Sequence, residues 1–202
     1  MALIPAFEIG LWNAWILMIF LFLTYVPGQL INKEALNKVN AGWASEKWSR
    51  IDRFLAKITH IVIIPLTIIY SVFLPLKLGT VWLYIGLPLC FLGLIMNLMV
   101  GINIATIPFD KEPITKGVYR FSRHPAYFGG LLFFLGVGIA SASWVVILFA
   151  LVWIVIWIKV IPAEKSSLLE KYGDSYREYM NRTPRWIGVP KAAAKLDKER
   201  KP

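Results

Sequence analysis

The chain has 202 residues, 57% of them hydrophobic, with a mean hydropathy of +0.60 and 22 Lys and Arg against 12 Asp and Glu. A soluble domain is nearer about 45–50% apolar, and here the charges fall in blocks separated by long uncharged runs, so a bilayer is the solvent this sequence suits. The net charge of +10 comes from basic residues that flank apolar runs, a placement that argues against reading it as nucleic-acid binding; the single cysteine, Cys90, excludes an intrachain disulfide and reads as a small core residue.

In chain order, the first apolar run covers residues 9–26 and is expected to end at Pro27-Gly28; it lacks a basic start and is too long for a cleavable signal. Residues 32–54 are basic and are expected to include an amphipathic helix on the membrane surface, with Trp43 and Trp48 as interfacial anchors or substrate contacts. The second run covers residues 58–76 and the third 81–107, long enough to tilt or project from the membrane. The fourth starts at Pro125 and runs to residue 140, and its Gly129, Gly130, Gly136 and Gly138 would let a neighbouring helix approach closely. The turn Ala140-Ser141-Ala142-Ser143 leads into a fifth run, residues 144–161, expected to stop at Pro162.

The expected fold is therefore an all-α integral membrane protein of about five transmembrane helices, with spans four and five forming a helical hairpin and an amphipathic helix following them. Residues 1–190 read as one domain and 191–202 as a basic flexible tail. Of the 22 Lys and Arg, all but Lys77 fall in the loop after span one, the connection between spans three and four, or the segment from the end of span five onward. The positive-inside rule then places the N-terminus outside and the C-terminus in the cytoplasm.

A transporter or channel would carry ionisable groups or inverted repeats in its spans. Neither is evident: His60 is the one titratable residue well inside a span, and it reads either as an interior hydrogen-bonded residue or as a catalytic group. Asn97 and Asn103 in span three suit interhelical hydrogen bonds or a cofactor cleft. No metal site is suggested by two distant histidines and one cysteine.

Polar residues concentrate in two blocks. The first holds Arg123-His124 directly before Pro125, which is placed in the first turn of span four, where its missing N–H costs nothing. The free N–H groups and positive end of that helix, with Arg123 and His124, make a candidate anion site; a basic stop at a membrane edge is the plainer alternative. The second block begins at Glu164 and continues with Leu168, Leu169, Tyr172, Tyr176, Tyr179 and Met180 at helical spacing, interrupted by Gly173. It reads as a surface helix on lipid, or as a segment folding back over the Arg-His-Pro corner, which would bring Glu164 near His124.

These blocks resemble the isoprenylcysteine carboxyl methyltransferase and phospholipid methyltransferase superfamily. The matching stretches are Gly117-Val118-Tyr119-Arg120, then Ser122-Arg123-His124-Pro125-Ala126-Tyr127-Phe128-Gly129, and from Glu164 through Leu168, Tyr172-Gly173, Tyr176 and Tyr179 to Thr183-Pro184-Arg185. The resemblance covers about residues 85–190, while the first two spans resemble nothing specific. Where the family often has two adjacent glutamates, this chain has Glu164-Lys165.

The resemblance implies S-adenosylmethionine-dependent methyl transfer to a lipophilic or lipid-linked acceptor entering from the bilayer, in a pocket facing the cytoplasm. The cofactor-binding residues it implies are Tyr119, Arg123, His124, Pro125, Tyr127, Gly129, Glu164, Tyr176, Tyr179 and Arg185, with Glu164, His124 and Arg123 as the catalytic candidates. The aromatic faces of Tyr127, Tyr176 and Tyr179 suit a sulfonium cation. A non-catalytic scaffold and a small transporter of the same topology are the alternatives.

Overall fold

A computed structural model describes residues 8–42 and 48–191; Trp43 and the basic tail beyond Lys191 lie outside the described residues. Helix α1 (Trp15–Leu23) is followed by helix α2 (Val26–Gly42), and α1 and Val26–Asn37 form a pair bent by 52°. The break falls at Thr24, whose hydroxyl donates back to the Leu21 carbonyl (2.7 Å). Pro27 occupies the first turn of α2, where its ring is tolerated, so it opens a helix instead of closing one. Asn32 leaves helical geometry (φ −156°) and its side chain accepts from the Ala35 N–H (3.0 Å), kinking α2.

Helix α3 (Arg50–Ile58) starts at Ser49, whose hydroxyl accepts from the Asp52 N–H (3.1 Å). A π turn (Thr59–Ile63) joins it to helix α4 (Ile64–Val72), giving one continuous apolar helix of 23 residues. This span therefore begins before residue 58, because the serine cap nucleates it among the charged residues. Trp48 is buried, and its indole N–H donates to Ser167 Oγ (3.2 Å), so it anchors to protein and not to the membrane surface.

Helix α5 (Val81–Thr106), a 3₁₀ turn (Gly117–Arg120), helix α6 (Pro125–Ala140), helix α7 (Trp144–Tyr172) and helix α8 (Asp174–Arg182) complete the chain, with no strand among the described residues. Pro162 does not end the fifth run: α7 passes through it for 29 residues and stops at Gly173, whose φ of +54° suits glycine. Proline removes one ladder bond, but Val160 and Ile161 are buried on the face that also carries Trp153 and Trp157, and this packing keeps the helix in phase.

Three helices are long and apolar enough to cross a bilayer (Arg50–Val72, Val81–Thr106 and Trp144–Tyr172), and the bent α1–α2 pair makes a fourth if it is one span. At 16 residues, α6 is short of the usual span. It is largely enclosed by protein, and its closest pairing is with α5. Gly86 and Gly93 on α5 face Gly136 and Gly129 on α6: a methyl group added at Gly93 would lie 2.6 Å from the Gly129 carbonyl oxygen, and one at Gly136 2.7 Å from that of Gly86. The two backbones thus touch, as small residues permit in membranes.

Backbone hydrogen bonds gather the lightly charged connections at one end: Ala14 N–H to the Leu74 carbonyl (2.8 Å), Leu76 N–H to that of Trp12 (2.9 Å), and Lys77 N–H to that of Ala140 (3.0 Å). Trp48 and the 3₁₀ turn fall at the other end. Gly136→Ala is expected to overpack the α5–α6 contact by about 1–3 kcal/mol and lower the melting temperature in detergent. Gly101→Ala, with its nearest neighbour at an ordinary 3.5 Å, should melt like the parent, and equal melting of both variants would contradict the contact.

Candidate active site

The segment preceding α6 is pinned from two sides. On the α5 side, Asn103 Oδ1 accepts from the Val118 N–H (3.0 Å). On the other, the Tyr179 hydroxyl donates to the carbonyls of Tyr119 (2.7 Å) and Ser122 (3.3 Å). The chain after α8 then returns alongside: Arg123 N–H donates to the Pro184 carbonyl (3.1 Å) and Gly188 N–H to that of Phe121 (3.0 Å). His124, whose N–H donates to Ser122 Oγ (3.1 Å), stands at the entry to α6, with Pro125 as its first residue.

The continuation of α7 past Pro162 carries Glu164 to this corner. The Tyr127 hydroxyl donates to Glu164 Oε2 (3.2 Å), and His124 Nδ1 lies 3.4 Å from the same oxygen. The histidine side chain is 4% exposed and the glutamate 24%. The rings are ordered: His124 lies nearly parallel to Tyr127 (centroids 5.6 Å, 10°), and Tyr127 nearly parallel to Trp157 (4.3 Å, 16°). Trp186 tilts against His124 at 6.3 Å. Arg123 Nε is buried with no hydrogen-bond partner among the described residues, which leaves a cationic donor available to an anionic group.

A cleft of about 110 Å³, open on one side, joins these groups. Tyr119, Arg123, His124, Pro125, Tyr127 and Glu164 form its polar side, and Leu36, Val100 and Ile104 line an apolar side. The expected residues do not all line it. Gly129 faces Asn97 and Met96 at the α5 contact, and Arg185 is exposed, with its guanidinium over the Trp186 ring (5.6 Å). Tyr176 and Tyr179 stand behind the corner, ring to ring at 5.9 Å. Lys165 is exposed while its neighbour Glu164 is turned toward the corner.

Asn97 lines the cleft, and its amide also donates to the Gly93 carbonyl (2.9 Å). Tyr25 and Gln29, at the bend between α1 and α2, line it as well. No sequence signal pointed to them beyond a lone glutamine in an apolar stretch. His60 is half-buried, Nδ1 within 2.9 Å of the Ala56 carbonyl and its ring edge-on to Trp157 at 5.8 Å.

The tyrosine hydroxyls at the corner are held neutral. Burial, and secondarily the Glu164 charge, raises that of Tyr119. Burial also raises that of Tyr179, and the same two causes as for Tyr119 push that of Tyr176 up to about 12.

Residues 81–175 match the phospholipid methyltransferase family. A protein-S-isoprenylcysteine O-methyltransferase of Schizosaccharomyces pombe is 33% identical over 82 residues, which make up 40% of this chain and 34% of the relative. Over these residues the chain is similar to that methyltransferase superfamily. The chain spans about a third of the relative's length. The matched stretch holds the Arg-His-Pro corner and Glu164, hence the whole polar side of the cleft; α1, α2 and nearly all of α8 lie outside it. Three helices long and apolar enough to cross a bilayer, two of them within the matched stretch, support an integral membrane protein.

The Tyr176 hydroxyl gives a test of the corner. Its folded value stands near 12 against an ordinary 10.0. Above pH 10 the unfolded chain releases this proton before the folded one does, so stability present below about pH 10 is lost as the pH rises toward about 12. Melting in detergent should fall across that window, and less steeply for Tyr176→Phe. Parallel profiles would show that this hydroxyl is not buried against the corner.

Proposed function

We propose that the chain is an S-adenosylmethionine-dependent methyltransferase acting on a lipophilic acceptor, with its cleft at the cytoplasmic face of the membrane. The observation that carries this reading is the meeting of Glu164 with His124 and Tyr127 in a cleft whose polar side falls within the family match. The collection of basic segments at one end supports the cytoplasmic assignment. The five-crossing topology is supported by the three lightly charged connections tied together at the opposite end, α6 being a short crossing shielded by α5 and α7.

The residues present fit the cofactor. The unpartnered Arg123 Nε and the free N–H groups of the first turn of α6 would hold its carboxylate. Glu164 would hold its amine or ribose, and the neutral tyrosine faces beside it would tolerate its cation. When bound, S-adenosylmethionine supplies an electrophilic methyl group on a sulfonium, which needs no Lewis acid.

The chain's own residues align, exclude water and manage a proton. The stacked His124, Tyr127 and Trp157 rings close the protein side of the cleft. With Nδ1 turned to Glu164, His124 Nε2 is the ring nitrogen left to take a proton from an amine or thiol acceptor. A carboxylate acceptor would need no base and would be oriented by Arg123. The apolar side formed by Leu36, Val100 and Ile104 supports a lipophilic acceptor.

Titration of S-adenosylmethionine by calorimetry tests the reading. Glu164→Ala, His124→Ala and Arg123→Leu should each bind about 10- to 100-fold more weakly than the parent, the equivalent of losing one charge-assisted hydrogen bond, while melting as folded proteins. Parent-like affinity in all three would remove these residues from the site.

A further inference from the structure

We propose that His60 is a positioning residue for the methyl-transfer cleft, acting through Trp157 and Tyr127; this rests on the function proposed above. His60 is carried on the π turn between α3 and α4, where the Ile64 N–H reaches back five residues to the Thr59 carbonyl. The turn has a cause in the sequence. Pro65, next in the chain, lacks an N–H, and in a regular α turn its ring would press on the carbonyl of Ile61. One extra residue in the turn relieves that clash. It also rotates the preceding residues by about 100° relative to α4, which sets the face His60 presents.

That face meets α7. The imidazole is edge-on to Trp157 (5.8 Å, 82°), which is one of the largest fully buried side chains. Trp157 is parallel to Tyr127, and Tyr127 both stacks with His124 and donates to Glu164. Four rings thus run from the interior of the membrane-spanning helices to the polar side of the cleft.

The plainer role, an interior histidine satisfying a backbone carbonyl, does not account for this placement. The Ala56 carbonyl already accepts from the Thr59 N–H, so the bond to His60 Nδ1 orients the ring without being needed by the backbone. Displacing Trp157 would shift Tyr127 and with it Glu164. Methyl transfer depends steeply on alignment, and displacements of about 1 Å cost about 100-fold in rate. No group that would contact the cofactor is itself removed with His60, so the loss falls on alignment more than on affinity.

The test compares His60→Ala and His60→Phe with the parent in detergent micelles, using labelled S-adenosylmethionine and a total membrane-lipid extract as acceptor. His60→Ala should lower turnover at saturating cofactor by about tenfold or more, with the cofactor Kd within about threefold of the parent by calorimetry. His60→Phe, which restores a ring edge without the imidazole nitrogens, should recover turnover to within about threefold.

Near-ultraviolet circular dichroism reads the Trp157–Tyr127 stack without any ligand: its aromatic bands should weaken in His60→Ala and return in His60→Phe. The proposal is overturned if His60→Ala turns over within twofold of the parent, if His60→Phe is as slow as His60→Ala, or if the His60→Ala spectrum coincides with the parent's. A parent that neither binds S-adenosylmethionine nor transfers a methyl group overturns the functional reading, while the spectra still decide whether His60 orders the rings.

Discussion

A carboxylate at the rim of a membrane protein is stable only where donors replace the water it loses. Glu164 meets that requirement with the Tyr127 hydroxyl and His124, both on the first turn of α6 or at its entrance. The position of α6 is in turn fixed by backbone contact with α5 through facing glycines, which leaves little freedom to slide or rotate. Glu164 therefore reports on two packing decisions at once: α5 against α6, which places the acceptors' partners, and α7 against α6, which delivers the acid. Neither produces the cleft without the other.

The delivery depends on helical phase. Trp153, Trp157, Val160, Ile161 and Glu164 recur on one face of α7 only if the helix passes unbroken through Pro162. A loop at Pro162 would free Glu164 from the register of the buried tryptophans. The lost ladder bond and ring clash cost about 3 kcal/mol or more, whereas that face buries several large apolar side chains at about 1.5–3 kcal/mol each. Packing wins over local propensity, and the polar residue two positions beyond the proline inherits the geometry of the apolar residues before it.

The same competition explains what could be read from the sequence. The limits of α6, the long third span, the polar corner before Pro125 and the nearness of Glu164 to His124 were legible because each rests on a local signal: a proline at a helix start, an uninterrupted apolar run, a short turn between two spans. Pro27 and Pro162 were misread as stops because a proline's meaning depends on what packs around it. Trp48 suits an interfacial anchor or a substrate contact by residue type and neighbours, and its actual partner, Ser167, is 119 residues away. Tyr179 suits a cation face by residue type, yet its hydroxyl is committed to the carbonyls of Tyr119 and Ser122. The bent α1–α2 wall, with Tyr25 and Gln29, carried no motif at all.

That wall gives the cleft two origins. Its polar side and most of its remaining lining come from the stretch that matches the phospholipid methyltransferase family, while Tyr25, Gln29 and Leu36 come from the bent pair outside the match. A cofactor common to many enzymes demands a constant set of charges and hydrogen bonds, whereas a lipophilic acceptor is recognised largely by the shape of an apolar surface. Shape can be rebuilt by changing where a helix bends. Here the bend is set by Thr24 and Pro27 and the kink by Asn32, so three residues remote from the polar corner determine how far Tyr25 and Gln29 project over it. On the proposed function, constraint falls on the corner and latitude on the bent pair, whose Tyr25, Gln29 and Leu36 are the lining residues that the family match does not reach.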